Sequence, residues 1–180
     1  RRNPSHDALH MADIAGGTGD IAFRAAGEAA RVATPLSVQV IDANTEMLRV
    51  GARRMAAATH AGNVSFITGN AERLPLADNS LDIFTVAFGI RNVTHRADAL
   101  AEAWRVLKPG GRFVCIEFSQ LPSALLTRAY DIYSFRVIPS LGGLVTGDAD
   151  PYQYLVESIR KFPRAEAFAD ELRAVGFSRV

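Results

Sequence analysis

The stretch Asp13-Ile14-Ala15-Gly16-Gly17-Thr18-Gly19-Asp20 decides the fold of this chain. It follows a short apolar run over residues 9–15 and leads into residues 21–32, whose apolar side chains recur at helical spacing. Glycines after a strand let the backbone turn tightly and approach a ligand without a Cβ in the way. The stretch predicts a strand, a ligand-binding turn and a helix, although a plain strand-to-helix turn is the alternative on these residues alone.

Further strand and helix patterns alternate on both sides of this turn. Strands are predicted over residues 9–15, 36–41, 64–67, 81–88 and 112–118. Helices are predicted after the first strand, after the N-caps Asn44 and Thr45, and over residues 97–107, where Lys108-Pro109-Gly110-Gly111 ends the helix. Strands that alternate with helices predict an α/β, Rossmann-like fold with a mostly parallel sheet and helices on both faces.

The pattern changes after Ser119. Residues 123–138 read as a helix rich in Tyr, Phe and Leu, and Asp150-Pro151 starts a helix that runs to about residue 162. Residues 163–175 form another predicted helix, which Gly176 closes, and residues 177–180 would open a sixth strand.

Composition excludes several classes of protein. The 180 residues suit one domain over residues 1–180, and 20 basic residues against 19 acidic ones leave no large positive field for nucleic acid. The single Cys115 excludes an internal disulfide and is expected to be a buried, inert thiol. No apolar run reaches the roughly 18 residues of a membrane-spanning helix. Because the sequence starts at Arg1, close to its first strand, we expect a fragment or a processed form that is incomplete at both ends.

Polar side chains follow the second and third predicted strands. Asp42 lies where a carboxylate accepts both hydroxyls of a ribose, and its alternative role is a charge at a helix N-terminus. Asn70 both donates and accepts hydrogen bonds, which suits the edge of an adenine. An Asx turn at Asn70 is equally compatible with the spacing.

The combined motifs resemble class I methyltransferases that bind S-adenosylmethionine. A dehydrogenase would show a third glycine in the turn, whereas this chain has Gly19-Asp20-Ile21-Ala22. Six segments resemble the ubiquinone/menaquinone biosynthesis C-methyltransferase family, and the resemblance covers nearly the whole chain. They are residues 15–20, 87–94, 107–112 and 117–119, Tyr130-Asp131-Ile132-Tyr133-Ser134-Phe135, and residues 154–160. The amino-acid sequence of these segments is most similar to that of the mitochondrial members. Relatives continue past residue 180, so a terminal hairpin is expected to be missing.

The resemblance implies a cofactor site for S-adenosylmethionine and no metal. We expect that site to contain Asp13, Gly17, Thr18, Gly19, Asp42, Asn70 and Ala71. Bacterial relatives often have Ser at the position of Ala87, so a hydroxyl contact is lost there.

Methylation of a quinol ring carbon requires that the ring ionise towards a phenolate. Arg91 follows the fourth strand and would stabilise that charge, and Asn92 would orient a water that carries the proton away. An arginine is a poor base, and a structural ion pair from Arg91 to Glu117 or Asp82 is the alternative. Histidine is a common general base, but His95 is better explained as an exposed first-turn residue of the following helix. Tyr133 and Tyr152 are predicted to contact the substrate.

The resemblance also implies partners and a location. The substrate would be a polyprenylated methoxy-benzoquinol, drawn from a bilayer by a protein peripherally attached to the matrix face of the mitochondrial inner membrane. The protein would belong to a multi-subunit ubiquinone biosynthesis complex, with a homodimer also compatible, and would bind no nucleic acid. Two alternatives are a methyltransferase for another lipid-like acceptor such as a sterol, and a non-catalytic scaffold subunit that keeps the fold.

Overall fold

Five parallel strands form one sheet in the first two thirds of the chain. The structure, a computed structural model, describes residues 8–55, 63–119 and 150–180, except the side chains of residues 150–152. The elements in chain order are β1 (Leu9–Ile14), α1 (Asp20–Arg31), β2 (Leu36–Asp42), α2 (Thr45–Met55), β3 (Val64–Thr68), β4 (Leu81–Ala87), a 3-10 turn (Ile90–Asn92), α3 (Arg96–Val106), β5 (Leu107–Ile116), α4 (Asp150–Lys161) and α5 (Ala165–Ala174).

The chain divides into two compact units. One contains residues 1–117 and 175–177, and the other contains residues 118–174 and 178–180. The first unit holds the whole described sheet, and the second holds α4 and α5. The single domain expected over residues 1–180 stays a prediction.

The strand order is β3-β2-β1-β4-β5, and every neighbouring pair is parallel. The chain runs outward from β1 to β3 and then returns to the other side of β1, so the order reverses between β1 and β4. In open α/β sheets, ligands bind at the carboxyl ends of the strands beside such a reversal. The fold therefore confirms the Rossmann-like prediction and indicates where a site should lie.

Buried aliphatic side chains fix the strands near this point. Val38 and Val40 of β2 are completely buried, as are Ala12 of β1 and Ala22 of α1. A central parallel strand is covered on both faces, so its sequence is almost continuously apolar. The polar residue in this layer is Asp13, which is 1% exposed.

The helix α2 begins with a side-chain cap. The Asn44 Oδ1 accepts hydrogen bonds from the backbone N–H groups of Glu46 and Met47 at 3.0 and 3.2 Å, which confirms the predicted cap. Leu48 is buried as its helical spacing indicates, but Met47 is 42% exposed. The spacing of Met47, Leu48 and Met55 predicts that they share one apolar face of this helix, and that prediction is wrong for Met47.

The boundary between α3 and β5 differs from the prediction. The helix ends at Val106, and β5 already starts at Leu107, paired with Leu81. The segment 108–111, which was expected only to end the helix, lies inside the strand, where the pairing with β4 shifts between Leu81 and Ile83. Glycines and a proline are tolerated in such an irregular stretch of strand because its ladder is already interrupted.

Aromatic rings pack the far side of this strand within the first unit. Trp104 of α3 is 49% exposed, and its ring meets Phe177 edge-on at 5.2 Å between centroids. Phe177 also contacts Phe113 of β5 at 5.4 Å. Gly176 has a φ of +118°, and a Cβ built there would lie 2.9 Å from the Trp104 ring. Residues 177–180 form no strand in the described structure, so that expectation is wrong.

The second unit holds two helices in its described part. α4 runs over Asp150–Lys161 and α5 over Ala165–Ala174, close to the predicted bounds. Phe162 and Phe168 are buried and their ring centroids lie 5.1 Å apart. The helix predicted over residues 123–138 lies outside the described residues.

Candidate cofactor and active site

The glycine turn is held to the end of β2 by a carboxylate. The Asp42 Oδ2 accepts a hydrogen bond from the Gly17 N–H at 2.9 Å, and Oδ1 accepts one from the Asn44 N–H at 2.8 Å. Gly17 and Gly19 have φ values of +52° and +81°, which L side chains rarely adopt, and both are buried. The structure thus brings together the predicted residues Gly17, Gly19 and Asp42 at one strand end.

Asp42 keeps acceptor capacity beyond these two bonds. A carboxylate has about four lone-pair sites, and the two backbone N–H groups use one on each oxygen. Asp42 is half-buried, so part of the residue is exposed to solvent. The alternative role at a helix N-terminus also holds, since the Asn44 N–H lies just before α2.

Thr18 lies in the same turn and is tied to the start of α1. Its hydroxyl donates to the Asp20 Oδ2 at 2.8 Å, and Arg54 of α2 donates to both oxygens of Asp20 at 3.2 and 2.7 Å. These bonds, with that from Arg54 first, hold the pKa of Asp20 down at about 2. The Arg54 guanidinium also lies 5.7 Å from the centre of the Phe23 ring. The Asp20–Arg54 pair therefore connects α1 to α2, and the Thr18 hydroxyl is hydrogen-bonded to that pair.

Asp13 lies at the strand reversal. It pairs in register with Thr85 of β4, whose hydroxyl donates to the Asp13 Oδ1 at 2.7 Å. A Cβ at Gly16 would lie 2.8 Å from the Asp13 Oδ2, so only glycine fits over this carboxyl group. Burial above all, with a smaller contribution from the negative charge of Asp42, raises the pKa of Asp13 to about 6 against the hydrogen bonds of the Thr85 hydroxyl and the Ala22 amide, which favour the ionised form.

Asn70 and Ala71 follow β3 at the same edge. The Asn70 Oδ1 accepts from the Glu72 N–H at 2.9 Å, and the Asn70 carbonyl accepts from the Arg73 N–H at 3.0 Å. The Asx turn, which was one of the two interpretations, is therefore present. Asn70 is exposed and Ala71 is half-buried, so the adenine contact stays a prediction that the turn does not contradict.

Arg91 forms a buried ion pair with Glu117. The Arg91 Nη1 lies 2.7 Å from the Glu117 Oε1, and the two side chains are only 10% and 3% exposed. The same Nη1 donates to the Phe88 carbonyl at 2.6 Å, and Phe88 has the strained φ of +56°. The structural ion pair that the sequence left open is thus formed, with Glu117 as the partner. The pair connects the loop after β4 to the end of β5.

The other polar residues of this loop lie at the surface. Asn92 is exposed at the end of the 3-10 turn, and His95 is exposed at the N-cap of α3. The His95 N–H donates to the Glu72 Oε1 at 3.0 Å, which connects this loop to the one after β3. His95 therefore lies where the first-turn interpretation put it. The catalytic roles of Arg91 and Asn92 stay predictions.

Some predicted site residues are not described. Tyr133 lies outside the described residues, and Tyr152 belongs to α4 but its side chain is not described. In the described part of the chain, no group of three or more His, Cys, Asp or Glu side chains is placed to hold a metal ion. Cys115 is half-buried rather than buried, and burial with the nearby Glu117 charge raises the pKa of its thiol to about 12. An inert thiol agrees with that pKa.

Sequence reasoning missed one residue of this edge. Thr85 bonds Asp13 across 72 positions in the chain, and no local spacing relates the two. The available signal was a hydroxyl residue in the apolar part of a central strand, since buried polar groups need partners.

A model of the ubiE/COQ5 methyltransferase family matches residues 1–180. The chain belongs to this family. The resemblance drawn from the motifs is therefore confirmed.

Curated members of the ubiE/COQ5 family are closely related to the chain. The protein named ubiquinone/menaquinone biosynthesis C-methyltransferase UbiE from Nitrobacter hamburgensis is 56% identical over 170 residues, which cover 94% of this chain and 66% of the relative. The correspondingly named protein from Brucella abortus is 53% identical over 168 residues, or 93% of this chain and 61% of the relative. The chain thus spans a little under two thirds of the length of these relatives.

Solved structures share the fold of this ubiE/COQ5 family member. The cyclase SpnF matches with a TM-score of 0.68 and 21% identity, over 94% of this chain and 50% of that one. Phosphoethanolamine N-methyltransferase 2 of Haemonchus contortus, in complex with S-adenosyl-L-methionine, matches with a TM-score of 0.65 and 21% identity, over 97% of this chain and 34% of that one. At this identity the likeness shows the fold alone, and the neighbours include both a cyclase and a methyltransferase.

Proposed function

We propose that this chain is the S-adenosylmethionine-binding part of a C-methyltransferase that methylates a quinol ring in quinone biosynthesis. The observation that carries the proposal is the match of the ubiE/COQ5 methyltransferase family to residues 1–180. The name of the Nitrobacter relative, at 56% identity, supports the same activity.

The residues at the strand ends suit S-adenosylmethionine. Asp42 has acceptor sites left for a ribose diol, and Asn70-Ala71 lies one strand further out, where an adenine would follow. The tight turn at Gly17 lets the backbone come close to the ligand, with Thr18 beside it. When bound, S-adenosylmethionine supplies an electrophilic methyl group on a positively charged sulfur.

The loop after β4 would serve the acceptor. A quinol ring becomes nucleophilic at carbon as its hydroxyl ionises, so N–H donors directed at the oxygen assist the reaction. Arginine side chains are poor general bases, so another group has to take the proton. Glu117 and the Phe88 carbonyl fix its guanidinium in one orientation, which suits a donor to a developing phenolate. Asn92, in the next position and exposed, would bind the water that removes the proton.

The finer description of substrate and location is part of the proposal. A polyprenylated methoxy-benzoquinol, with Tyr133 and Tyr152 at its site, would require contact with a membrane surface. No helix of residues 8–55, 63–119 or 150–180 is both long and apolar enough to cross a bilayer. Attachment to the matrix face of the mitochondrial inner membrane, a biosynthetic complex and a homodimer stay predictions, and the two relatives described above are bacterial.

Transfer of labelled methyl from S-adenosylmethionine to a panel of quinols, sterols and water-soluble phenols tests the proposal. We expect quinols to be labelled and Arg91→Ala to lower turnover by roughly 10²–10³, as for other lost oxyanion donors, with cofactor affinity within a few-fold of the parent. Arg53→Gln, at an exposed position of α2, is the control and should match the parent.

Three results would contradict parts of the proposal. Labelling of sterols alone would support another lipid-like acceptor, and cofactor binding without any transfer would support a scaffold. If Arg91→Ala loses activity only in proportion to its folded fraction, Arg91 has a structural role alone.

A further inference from the structure

The long loop between β3 and β4, residues 69–80, is hydrogen-bonded to two side chains of α3. The Glu102 Oε2 accepts a hydrogen bond from the Leu74 N–H at 2.7 Å. The Arg105 Nη1 donates to the Leu76 carbonyl at 2.9 Å. Leu74 is itself buried, so the middle of the loop is fixed both by packing and by these bonds.

Glu102 and Arg105 also fix each other. The Arg105 Nε lies 2.6 Å from the Glu102 Oε1, and its Nη2 lies 2.7 Å from the Glu102 Oε2, which is the two-bond geometry of a strong arginine–carboxylate pair. The Arg105 Nη1 also donates to the Asp78 Oδ1 at 2.6 Å. The bond from Arg105, above all, holds the pKa of the Glu102 carboxyl below its usual range. The pair therefore stays charged at neutral pH and offers the loop one fixed acceptor and one fixed donor.

The residues predicted to contact adenine, Asn70 and Ala71, lie in the part of this loop before Leu74. The start of the loop is fixed as well, because a Cβ built at Gly69 would lie 3.2 Å from the Pro75 ring. Asn70 and Ala71 thus lie between the end of β3 and a backbone N–H that is bonded to α3. A loop that is already ordered loses less conformational entropy when a ligand binds.

We propose that Glu102 and Arg105 are positioning residues for the purine ring of S-adenosylmethionine, because they hold the loop 69–80 where Asn70 and Ala71 meet the edge of that ring. The inference rests on the proposed function. Neither charged side chain would touch the ligand, since both act through the loop backbone. Their effect should therefore appear in the choice of purine and not in the transfer of the methyl group.

Calorimetric titration of the full chain with two ligands measures this choice without turnover. S-Adenosylhomocysteine, the demethylated form of the cofactor, is compared with S-inosylhomocysteine, in which a keto oxygen replaces the amino group and the adjacent ring nitrogen gains a hydrogen. The donor and acceptor at this edge are thereby reversed. A loop with fixed polar groups rejects the reversed pattern, so the parent should bind the adenosyl ligand roughly ten- to hundredfold more tightly.

Variants of the pair should lower this affinity ratio. Arg105→Met releases the loop and should bring the ratio to within about threefold of unity, mainly by weakening the adenosyl ligand. Glu102→Gln can still accept from the Leu74 N–H, so it should retain more of the ratio than Arg105→Met does. Arg31→Met is the matched control, because Arg31 likewise pairs with a glutamate three positions earlier, Glu28, but on the exposed surface of α1. It should leave the ratio unchanged.

A double variant tests whether the pair acts through the start of the loop. Asn70→Ala should itself lower the ratio, because it removes the side chain that meets the purine edge. Adding Arg105→Met to Asn70→Ala should then lower the ratio by less than about twofold more, since two residues that act through one contact are not additive. Independent, multiplying losses would contradict the proposed route.

A purely structural role predicts a different outcome. A destabilised variant loses affinity for both ligands by the same factor, because only its folded fraction binds, and it keeps the ratio. If Arg105→Met fails to fold, Arg105→Lys tests the same bonds, since it keeps the charge but loses the planar fork, and it should also lower the ratio. An unchanged ratio in the folded Arg105 variants, or a parent that binds both ligands equally, would overturn the inference and leave the proposed function standing. Absence of any S-adenosylmethionine binding by the parent would overturn both.

Discussion

The two sides of the strand reversal satisfy their carboxyl groups differently. On the β1–β2 side, Asp13 and Asp42 accept from neutral donors, a hydroxyl and backbone N–H groups. On the β4–β5 side, the buried Glu117 is matched by the Arg91 guanidinium at 2.7 Å. In the described structure no cationic side chain is paired with the first two carboxyl groups, whereas the charges of the Glu117–Arg91 pair cancel. The contrast teaches that one edge of a sheet can combine carboxyl groups bonded to neutral donors with a buried ion pair.

The largest expected effect comes from breaking the ion pair between Arg91 and Glu117. Glu117→Leu leaves the Arg91 charge buried without its carboxylate, which should cost about 3–5 kcal/mol of unfolding free energy in urea titrations. The double variant Arg91→Met with Glu117→Leu should recover most of that loss, because an apolar pair of similar volume replaces the charges. A cost for Glu117→Leu below about 1 kcal/mol, as for an exposed pair, would show that this half is not held by its charges.

The next effect concerns the stability of the ligand-free protein as pH changes. The native state raises the pKa of Asp13 from 3.8 to about 6, so between these values it binds the proton more tightly than the unfolded chain does. Stability contributed by the neutral carboxyl is thus present below about pH 4 and lost as pH rises to about 6. The loss should be about 3 kcal/mol.

Denaturation of the parent and of Asp13→Asn at several pH values checks this, because the variant should lack the loss of stability between about pH 4 and pH 6. Thr85→Val should shift the decline to higher pH. If parent and Asp13→Asn show parallel pH curves, Asp13 is more solvated than its burial indicates.

The smallest effect is expected at Asp42. Asp42→Ala removes the acceptor of the Gly17 and Asn44 N–H groups and the predicted ribose ligand. S-Adenosylmethionine binding should weaken by about 1.5–3 kcal/mol in calorimetry, roughly ten- to hundredfold. Glu46→Gln, exposed in the first turn of α2, is the control. Unchanged affinity in Asp42→Ala would show that the cofactor does not bind to Asp42 on the β1–β2 side.

The sequence was sufficient for the features that local patterns encode. The glycine turn has positive φ at Gly17 and Gly19, and the alternation of strands and helices gave the parallel sheet. The sequence could not decide the role of a residue whose partner lies far away along the chain. Arg91 and Glu117 are 26 positions apart, and their pairing follows from β4 and β5 lying side by side.

Pattern reasoning failed where the pairing of strands overrides local preference. Residues 108–111 have the composition of a helix stop, yet they lie in β5 because the ladder with β4 begins at Leu107. Residues 177–180 have strand-like residues, but a strand also needs a neighbour, and Phe177 instead packs its ring on Trp104. Hydrophobic character alone therefore predicted burial but not the partner.

That aromatic contact gives the protein an optical reporter of its own. Trp104 is the only tryptophan of the 180 residues, and it lies half-exposed against Gly176 and Phe177. Selective excitation of tryptophan therefore reads a single site, where α3 meets the segment 175–177. Detachment of that segment would expose the indole to water and shift its fluorescence emission to longer wavelengths. The detachment is therefore measurable without any label.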